Sequence, residues 1–196
     1  FVLSALCAEK RTEAKRVNQF EIGLLDAIAK TRTAFGDRFF SLVTHLGDAG
    51  IFWILLAVAL CGVKKTRRAG AEMAASLVCM LLLFNICLKP LVHRVRPYDV
   101  NTAVTLLIGK PRDFSFPSGH TAASFAGATS LLFGGRKRLG WFMLALACVI
   151  AFSRLYLYVH YPTDVLGGVC VGTLCGWLGN ALIGCAEKKA GKKKNA

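Results

Sequence analysis

Five apolar runs constrain this chain more than anything else in it: residues 49–63, with 39–46 as a leading extension, then 69–88, 118–133, 139–157 and 165–186. A helix that crosses a bilayer needs about 17–25 predominantly apolar residues, because hydrocarbon offers the backbone amides no other partners. The first run reaches that length only with its extension. The second is interrupted by Glu72 alone, near its start. Hydrophobic residues fill 55% of the 196 positions, against roughly 45–50% in a soluble domain. The expected fold is therefore all-α, an integral-membrane helical bundle of about five transmembrane helices. In the last run Gly168, Gly172 and Gly176 recur every fourth residue, a spacing that lets a second helix backbone come close.

Basic residues punctuate these runs asymmetrically. Lys64, Lys65, Arg67 and Arg68 follow the first run, Arg136, Lys137 and Arg138 the third, and Lys188, Lys189 and Lys192–Lys194 the fifth. If all five runs cross, the three clusters share one face, and the excess of Lys and Arg makes that face cytoplasmic. The loops after the second and fourth runs then face outward. The net charge of +14 suits an anionic membrane surface or phosphorylated substrates. Nucleic acid is the poorest match for so apolar a chain.

The eight cysteines form no CxxC pair and stand at no zinc-finger spacing from a histidine, so they read as small packing residues rather than as disulfides or metal ligands. Residues 1–8 are apolar but too short to span, and read as an interfacial end or the remnant of a signal segment. Residues 9–38 begin basic, between Lys10 and Arg16. They then place Leu24, Leu25 and Ile28 among polar positions, the pattern of an amphipathic helix. That helix is expected to pack on the bundle; a membrane-interface or substrate-access helix is the alternative. The chain thus divides into an interfacial segment at 1–48, a transmembrane domain at 49–186 and a basic cytoplasmic tail at 187–196.

The two outward loops hold nearly all remaining polar groups of chemical interest. Lys89 closes the second run, and Arg96 precedes Pro97 on extended or turning backbone. A point cation and a planar fork both suit phosphate oxygens, although either side chain alone is equally a residue reaching for headgroups. Pro117-Ser118-Gly119-His120 opens the third run, with Pro in the first helical turn. The amides of Ser118, Gly119 and His120 then point out of a helix N-terminus, an anion site strengthened by the helix dipole. Gly119 permits close approach of an oxyanion; Ser118 is alternatively only a cap. Arg154, near the end of the fourth run, requires a partner or a water-filled cavity. His160 and Asp164 stand four apart, with Pro162 between them. A carboxylate there accepts from one ring nitrogen and leaves the other free to attack phosphorus; the plainer reading is a structural His–Asp bond at a helix start. The conjunction decides, because both histidines, three cations, a helix N-terminus and an aspartate fall on one face. His93 lies in the same loop and His45 precedes the first run; neither joins this set.

Lys89 to Arg96-Pro97, Pro117 to His120, and Ser153-Arg154 to His160 and Asp164 match in order and spacing the motifs Lys-x6-Arg-Pro, Pro-Ser-Gly-His and Ser-Arg-x5-His-x3-Asp. In these residues the chain resembles the type 2 phosphatidic acid phosphatase family, the lipid phosphate phosphatases. The resemblance implies an all-helical core related to vanadium-dependent haloperoxidases and, with the extra N-terminal span of many members, about five to six transmembrane helices; this chain shows no clear extra span, and residues 1–48 are expected to supply an interfacial helix in its place. It implies a metal- and cofactor-independent enzyme that hydrolyses a lipid phosphate or diphosphate. His160 resembles the nucleophile that forms a phosphohistidine, Asp164 its orienting partner, and His120 the acid that protonates the leaving group. Lys89, Arg96, Ser118, Gly119 and Arg154 resemble the phosphate cradle. Candidate substrates are a polyprenyl diphosphate, phosphatidylglycerol phosphate, phosphatidic acid and the phosphates of lipid A. Alternatives are a phosphotransferase on the same scaffold and a non-enzymatic anion transporter. The expected location is the cell membrane, multi-pass, with the site on the extracytoplasmic side.

Overall fold

A computed structural model describes residues 19–84 and 89–194, the side chains of Lys89, Pro90 and residues 191–194 excepted. The apolar stretch at 1–8, the basic segment at Lys10–Arg16 and the end of the second run at 85–88 lie outside the described residues. Among those described there is no strand. A helix over residues 19–30 (α1) precedes Ala34–Thr44 (α2), a 3-10 segment His45–Gly50, and Ile51–Gly62 (α3). Arg67–Leu82 (α4), the short turns Lys89–Val92 (α5) and Pro97–Val100 (α6), Gly119–Phe133 (α7), Lys137–Tyr156 (α8) and Pro162–Lys194 (α9) follow.

Among the described residues, three stretches are long and apolar enough to cross a membrane: Ala34–Gly62, Lys137–Tyr156 and Pro162–Ala190. The chain is a membrane protein. The leading extension of the first run is a helix of its own. Asp48 is extended (φ −61°, ψ 121°), and Ala49 (φ 49°) and Gly50 (φ 68°) are left-handed, so α2 and α3 meet at a kink.

Helix α7 is the centre of the bundle. Its residues 121 to 131 are all buried, and it packs against α9, α8 and α4. Small residues make this possible. A Cβ on Gly172 would stand 2.4 Å from the Ala122 carbonyl oxygen, and one on Gly176 would stand 2.1 Å from Thr129 Oγ1. The four-residue glycine stripe of α9 therefore lies directly on the α7 backbone. This contact sets the relative height of the two helices, and their first turns are joined by Ser118 N–H donating to the Asp164 carbonyl at 3.0 Å.

The basic clusters gather at the opposite end. Arg136 donates to the Lys65 carbonyl at 3.4 Å, and Arg68 pairs with Glu187 at 3.5 Å. Helix α1 lies over the other end, burying Leu25 against a cluster of Tyr98, Tyr156, Leu157, Tyr158, Val159 and Tyr161. It packs on the bundle.

Replacing Gly172 by Ala should lower the thermal midpoint in detergent, because overpacking a tight contact costs about 1–3 kcal/mol. Gly184→Ala, with nothing within 4 Å of the new Cβ, should be neutral. Equal midpoints for the two variants would refute the close α7–α9 contact.

Candidate active site

His160 reaches the interior because the chain reverses sharply after α8. Tyr158 takes a left-handed conformation (φ 63°), uncommon for a residue with a side chain. Its hydroxyl donates to Asp26 Oδ1 at 2.7 Å and accepts from Asn101 Nδ2 at 3.0 Å, which ties the turn to α1. His160 is 2% exposed. Its Nδ1 lies 2.8 Å from the Ser115 carbonyl oxygen, which can only accept, so Nδ1 carries the proton. Nε2 is then a bare lone pair, with the Arg96 guanidinium donating to it at 3.3 Å. Burial pushes the imidazole down to about 4; the Arg96 and Arg154 charges add to this and Asp164 opposes it.

Asp164 supports this arrangement less directly than its spacing suggests. Its Oδ2 stands 3.6 Å from His160 Nδ1, beyond hydrogen-bond length. That oxygen instead accepts from the Ser115 hydroxyl and from the Tyr161 amide at 2.9 Å. Pro162 starts α9, so the Asp164 carboxylate folds back on its own turn and the Ser115 carbonyl takes the ring N–H. Ser115, bonded to both, links the carboxylate to the imidazole. The other oxygen of Asp164 accepts from Arg94 at 2.7 Å. Arg94 also pairs with Glu21 of α1, and Glu21 accepts from the amide and hydroxyl of Thr163 at 2.8 and 2.7 Å.

Two further cations face the same cavity. Arg96 is pinned by the Asp113 carbonyl (2.8 Å), the Asp113 carboxylate (2.6 Å) and the Val159 carbonyl (2.7 Å). Arg154 is 2% exposed and donates to the Thr44 hydroxyl. Its Nε is buried with no hydrogen-bond partner among the described residues. A buried unsatisfied donor costs about 1–3 kcal/mol, more when charged, and a bound anion recovers that. Ser118 caps α7, accepting from the Thr121 hydroxyl at 3.0 Å. Its own amide is spent on Asp164, so the expected trio of free amides narrows to those of Gly119 and His120. A Cβ on Gly119 would lie 3.1 Å from the Phe84 ring. The backbone of Lys89 opens α5, but its side chain lies outside the described residues. His120 Nε2 lies 2.8 Å from Asp48 Oδ1. His45 pairs with the other oxygen of Asp48 at 2.7 Å, and His93 stacks edgewise on Phe114.

These groups surround a cavity of about 260 Å³ lined by Arg96, His120, Arg154 and His160 on one side and by Ala49, Gly50, Met80 and Leu81 on the other. The latter four, with Ala123, also line an apolar groove of about 400 Å³ between α3 and α4. Ile54, Val78 and Leu81 of that groove are exposed on the bundle's outer surface. A mixed-charge vestibule of about 630 Å³, lined by Tyr98, Asp99, Lys110 and Arg112, shares Arg96, Pro111 and Asp113 with the cavity.

Anion-ready cations around a neutral histidine agree with a sequence comparison, in which the profile of the PAP2 superfamily matches residues 70–184. The chain belongs to the PAP2 superfamily. It is 32% identical over 126 residues to an undecaprenyl-diphosphatase of Sulfolobus acidocaldarius, covering 64% of this chain and 61% of that protein. It is 30% identical over 185 residues to a decaprenylphosphoryl-5-phosphoribose phosphatase of Mycobacterium tuberculosis, covering 92% and 99%. Among solved structures, Aquifex aeolicus LpxE superposes with a TM-score of 0.70 at 29% identity, covering 80% of this chain and 92% of that one.

Of the residues that the superfamily resemblance singles out, His120, Arg96, Arg154 and His160 meet in one cavity, with Ser118, Gly119 and Asp164 in the turns that frame it. Four participants were not legible in the motifs. Arg94 and Ser115 stand two residues before Arg96 and Pro117 respectively, and adjacency was their only signal. Asp48 and Glu21 had none, since each reaches the site from a distant helix end.

The geometry fixes a tautomer. In protein with ¹⁵N-labelled histidine at pH 5.5, His160 should be neutral and protonated on Nδ1, because that pH lies above its lowered pKa and below the ordinary value near 6.5. A His160→Gln variant assigns the signal. An imidazolium signature at that pH would contradict the burial argument.

Proposed function

We propose that this chain is a metal-independent lipid phosphate phosphatase working through a phosphohistidine on His160. One observation carries the reading: a neutral histidine and two buried arginines face a cavity of about 260 Å³ that continues into an apolar groove on the bundle's outer surface. An anionic head and a long tail are thereby accommodated together. Arg96, Arg154, the amides of Gly119 and His120, and Lys89 meet the charge on the phosphoryl oxygens, so electrostatic preorganisation supplies the stabilisation. Nε2 of His160 attacks phosphorus, the bond to the lipid oxygen breaks, and His120 gives that oxygen a proton. Water then cleaves the phosphohistidine, with His120 taking the proton back. Asp164, through Ser115 and Arg94, holds the imidazole in the attacking tautomer. The open vestibule beside Arg96 gives water access, which favours hydrolysis over transfer to a lipid alcohol.

The substrate is a lipid phosphate or diphosphate of the polyprenyl or glycerolipid type. The names of the Sulfolobus and Mycobacterium relatives weight this toward long-chain polyprenyl carriers. The basic clusters at the far end of the bundle support a multi-pass protein of the cell membrane with its site on the extracytoplasmic side.

A phosphate-release panel of polyprenyl diphosphate, polyprenyl-phosphoryl sugar phosphate, phosphatidylglycerol phosphate and phosphatidic acid tests the reaction. Turnover of at least one, unchanged in excess EDTA, is expected. Loss on chelation with rescue by magnesium would overturn metal independence. Rapid quench with labelled substrate should trap an acid-labile, base-stable adduct that His160→Ala cannot form. A His160→Ala variant with near-normal turnover would remove it as nucleophile. For sidedness, cysteines placed at Lys65 and Gly109 of a cysteine-free chain should label from opposite faces of the membrane. Labelling from one face would sink the orientation.

A further inference from the structure

The kink between α2 and α3 has a second role. Asp48 is extended while the next two residues, Ala49 and Gly50, are left-handed. Left-handed backbone at a residue with a Cβ is uncommon and persists only where the surroundings impose it. Here the turn delivers a carboxylate 2.8 Å from His120 Nε2, across 72 residues of sequence. The residue before it completes the fit. A Cβ on Gly47 would lie 2.6 Å from His120 Cδ2 and 3.1 Å from its Cγ, so only glycine leaves room for the imidazole. The second oxygen of Asp48 is held by His45 at 2.7 Å. The carboxylate is thus anchored on one side and aimed at His120 on the other.

We propose that Asp48 is the positioning residue of the proton donor, and that Gly47 and Asp48 together form the slot that orients His120. This rests on the phosphatase reading above. Nε2 of His120 is engaged by Asp48, and the Cγ–Cδ2 edge lies against Gly47, which leaves Nδ1 for the reacting atoms. With Nε2–H donated to the carboxylate, Nδ1 is the nitrogen that carries the mobile proton once the Asp48 charge and the bound phosphate hold the ring as imidazolium. As the His160–phosphorus bond forms and the phosphorus–oxygen bond to the lipid breaks, that proton passes from Nδ1 to the departing oxygen. His120 is left neutral, still bound to Asp48 through Nε2–H. When water attacks the phosphohistidine, Nδ1 accepts a proton from it and the cycle closes. Each of the two catalytic histidines is then backed by an acidic residue, Asp164 behind His160 and Asp48 behind His120, supplied by different helix ends.

The test uses the full chain in detergent with two substrates that share a phosphate dianion. One is a lipid alkyl phosphate, whose leaving oxygen needs a proton; the other is p-nitrophenyl phosphate, whose leaving oxygen does not. General acid catalysis typically contributes about 10²–10⁴-fold, so Asp48→Asn should lower kcat on the alkyl substrate by roughly 10- to 100-fold and leave its KM and the aryl reaction nearly unchanged. In a His120→Ala background the same change should cost nothing further, because a residue that acts through His120 is silent without it. Should Asp48→Asn not purify as a folded protein, Gly47→Ala, which keeps the carboxylate and displaces the ring, should reproduce the selective loss. Equal losses on both substrates, no loss on the alkyl one, or additive losses with His120→Ala would each overturn the role of Asp48. A wild-type protein inert toward both substrates would overturn the phosphatase reading itself, and the proposal with it.

Discussion

The backbone contact between α7 and α9 is the constraint on which the rest of the molecule depends. Three glycines of α9 lie against α7 so closely that any Cβ would collide with a carbonyl or a side-chain atom. In a bilayer, helices gain little by burying apolar surface on one another, because lipid is as apolar as they are; close packing and polar contacts do the work. The glycine contact fixes how far each helix extends, and so brings the first turn of α7 level with the first turn of α9. The Ser118–Asp164 backbone bond records that alignment. Two motifs 40 residues apart in the chain become one pocket wall as a result.

Within that frame, nearly every buried charge has a counterpart. Glu21 and Asp164 share Arg94, Arg96 holds Asp113, and Arg68 holds Glu72. Uncompensated charge is expensive away from water. Among the described residues three buried side-chain atoms lack a hydrogen-bond partner: the Nε of Arg136 at the basic end, the Tyr161 hydroxyl, and the Nε of Arg154, whose guanidinium borders the cavity where a phosphate is proposed to bind.

The bundle was largely legible because apolar run length is a direct physical requirement of the bilayer. The fourth run became α8 with bounds shifted by one or two residues, the fifth became α9, which starts three residues earlier and runs eight further, and the glycine spacing became the central contact. The kink at 45–50 was not legible. His45-Leu-Gly-Asp-Ala-Gly50 looks like the edge of an apolar run, and nothing local shows that Ala49 turns left-handed. Among the candidate site residues, spacing placed His160 and Asp164 together, at 3.6 Å, but gave no sign that the Ser115 carbonyl stands nearer the ring nitrogen, at 2.8 Å. An i, i+4 spacing states proximity; it does not say that the Ser115 carbonyl, 45 residues away, lies closer. Asp48, Glu21 and Ser115 act through contacts between distant segments, which no local pattern encodes.

The anchoring of α1 bears on the order in which the molecule is put together. Glu21 and Asp26 leave the ribosome long before the groups they hold, Thr163, Arg94 and Tyr158, exist. Helix α1 is therefore made before any of the groups that hold Glu21 and Asp26 in the folded chain. Only after α9 is inserted can Glu21 engage Thr163 and, through Arg94, draw Asp164 toward Ser115. The contacts that tie α1 to the pocket span 73, 132 and 142 residues of sequence, so they belong to the late, long-range part of assembly.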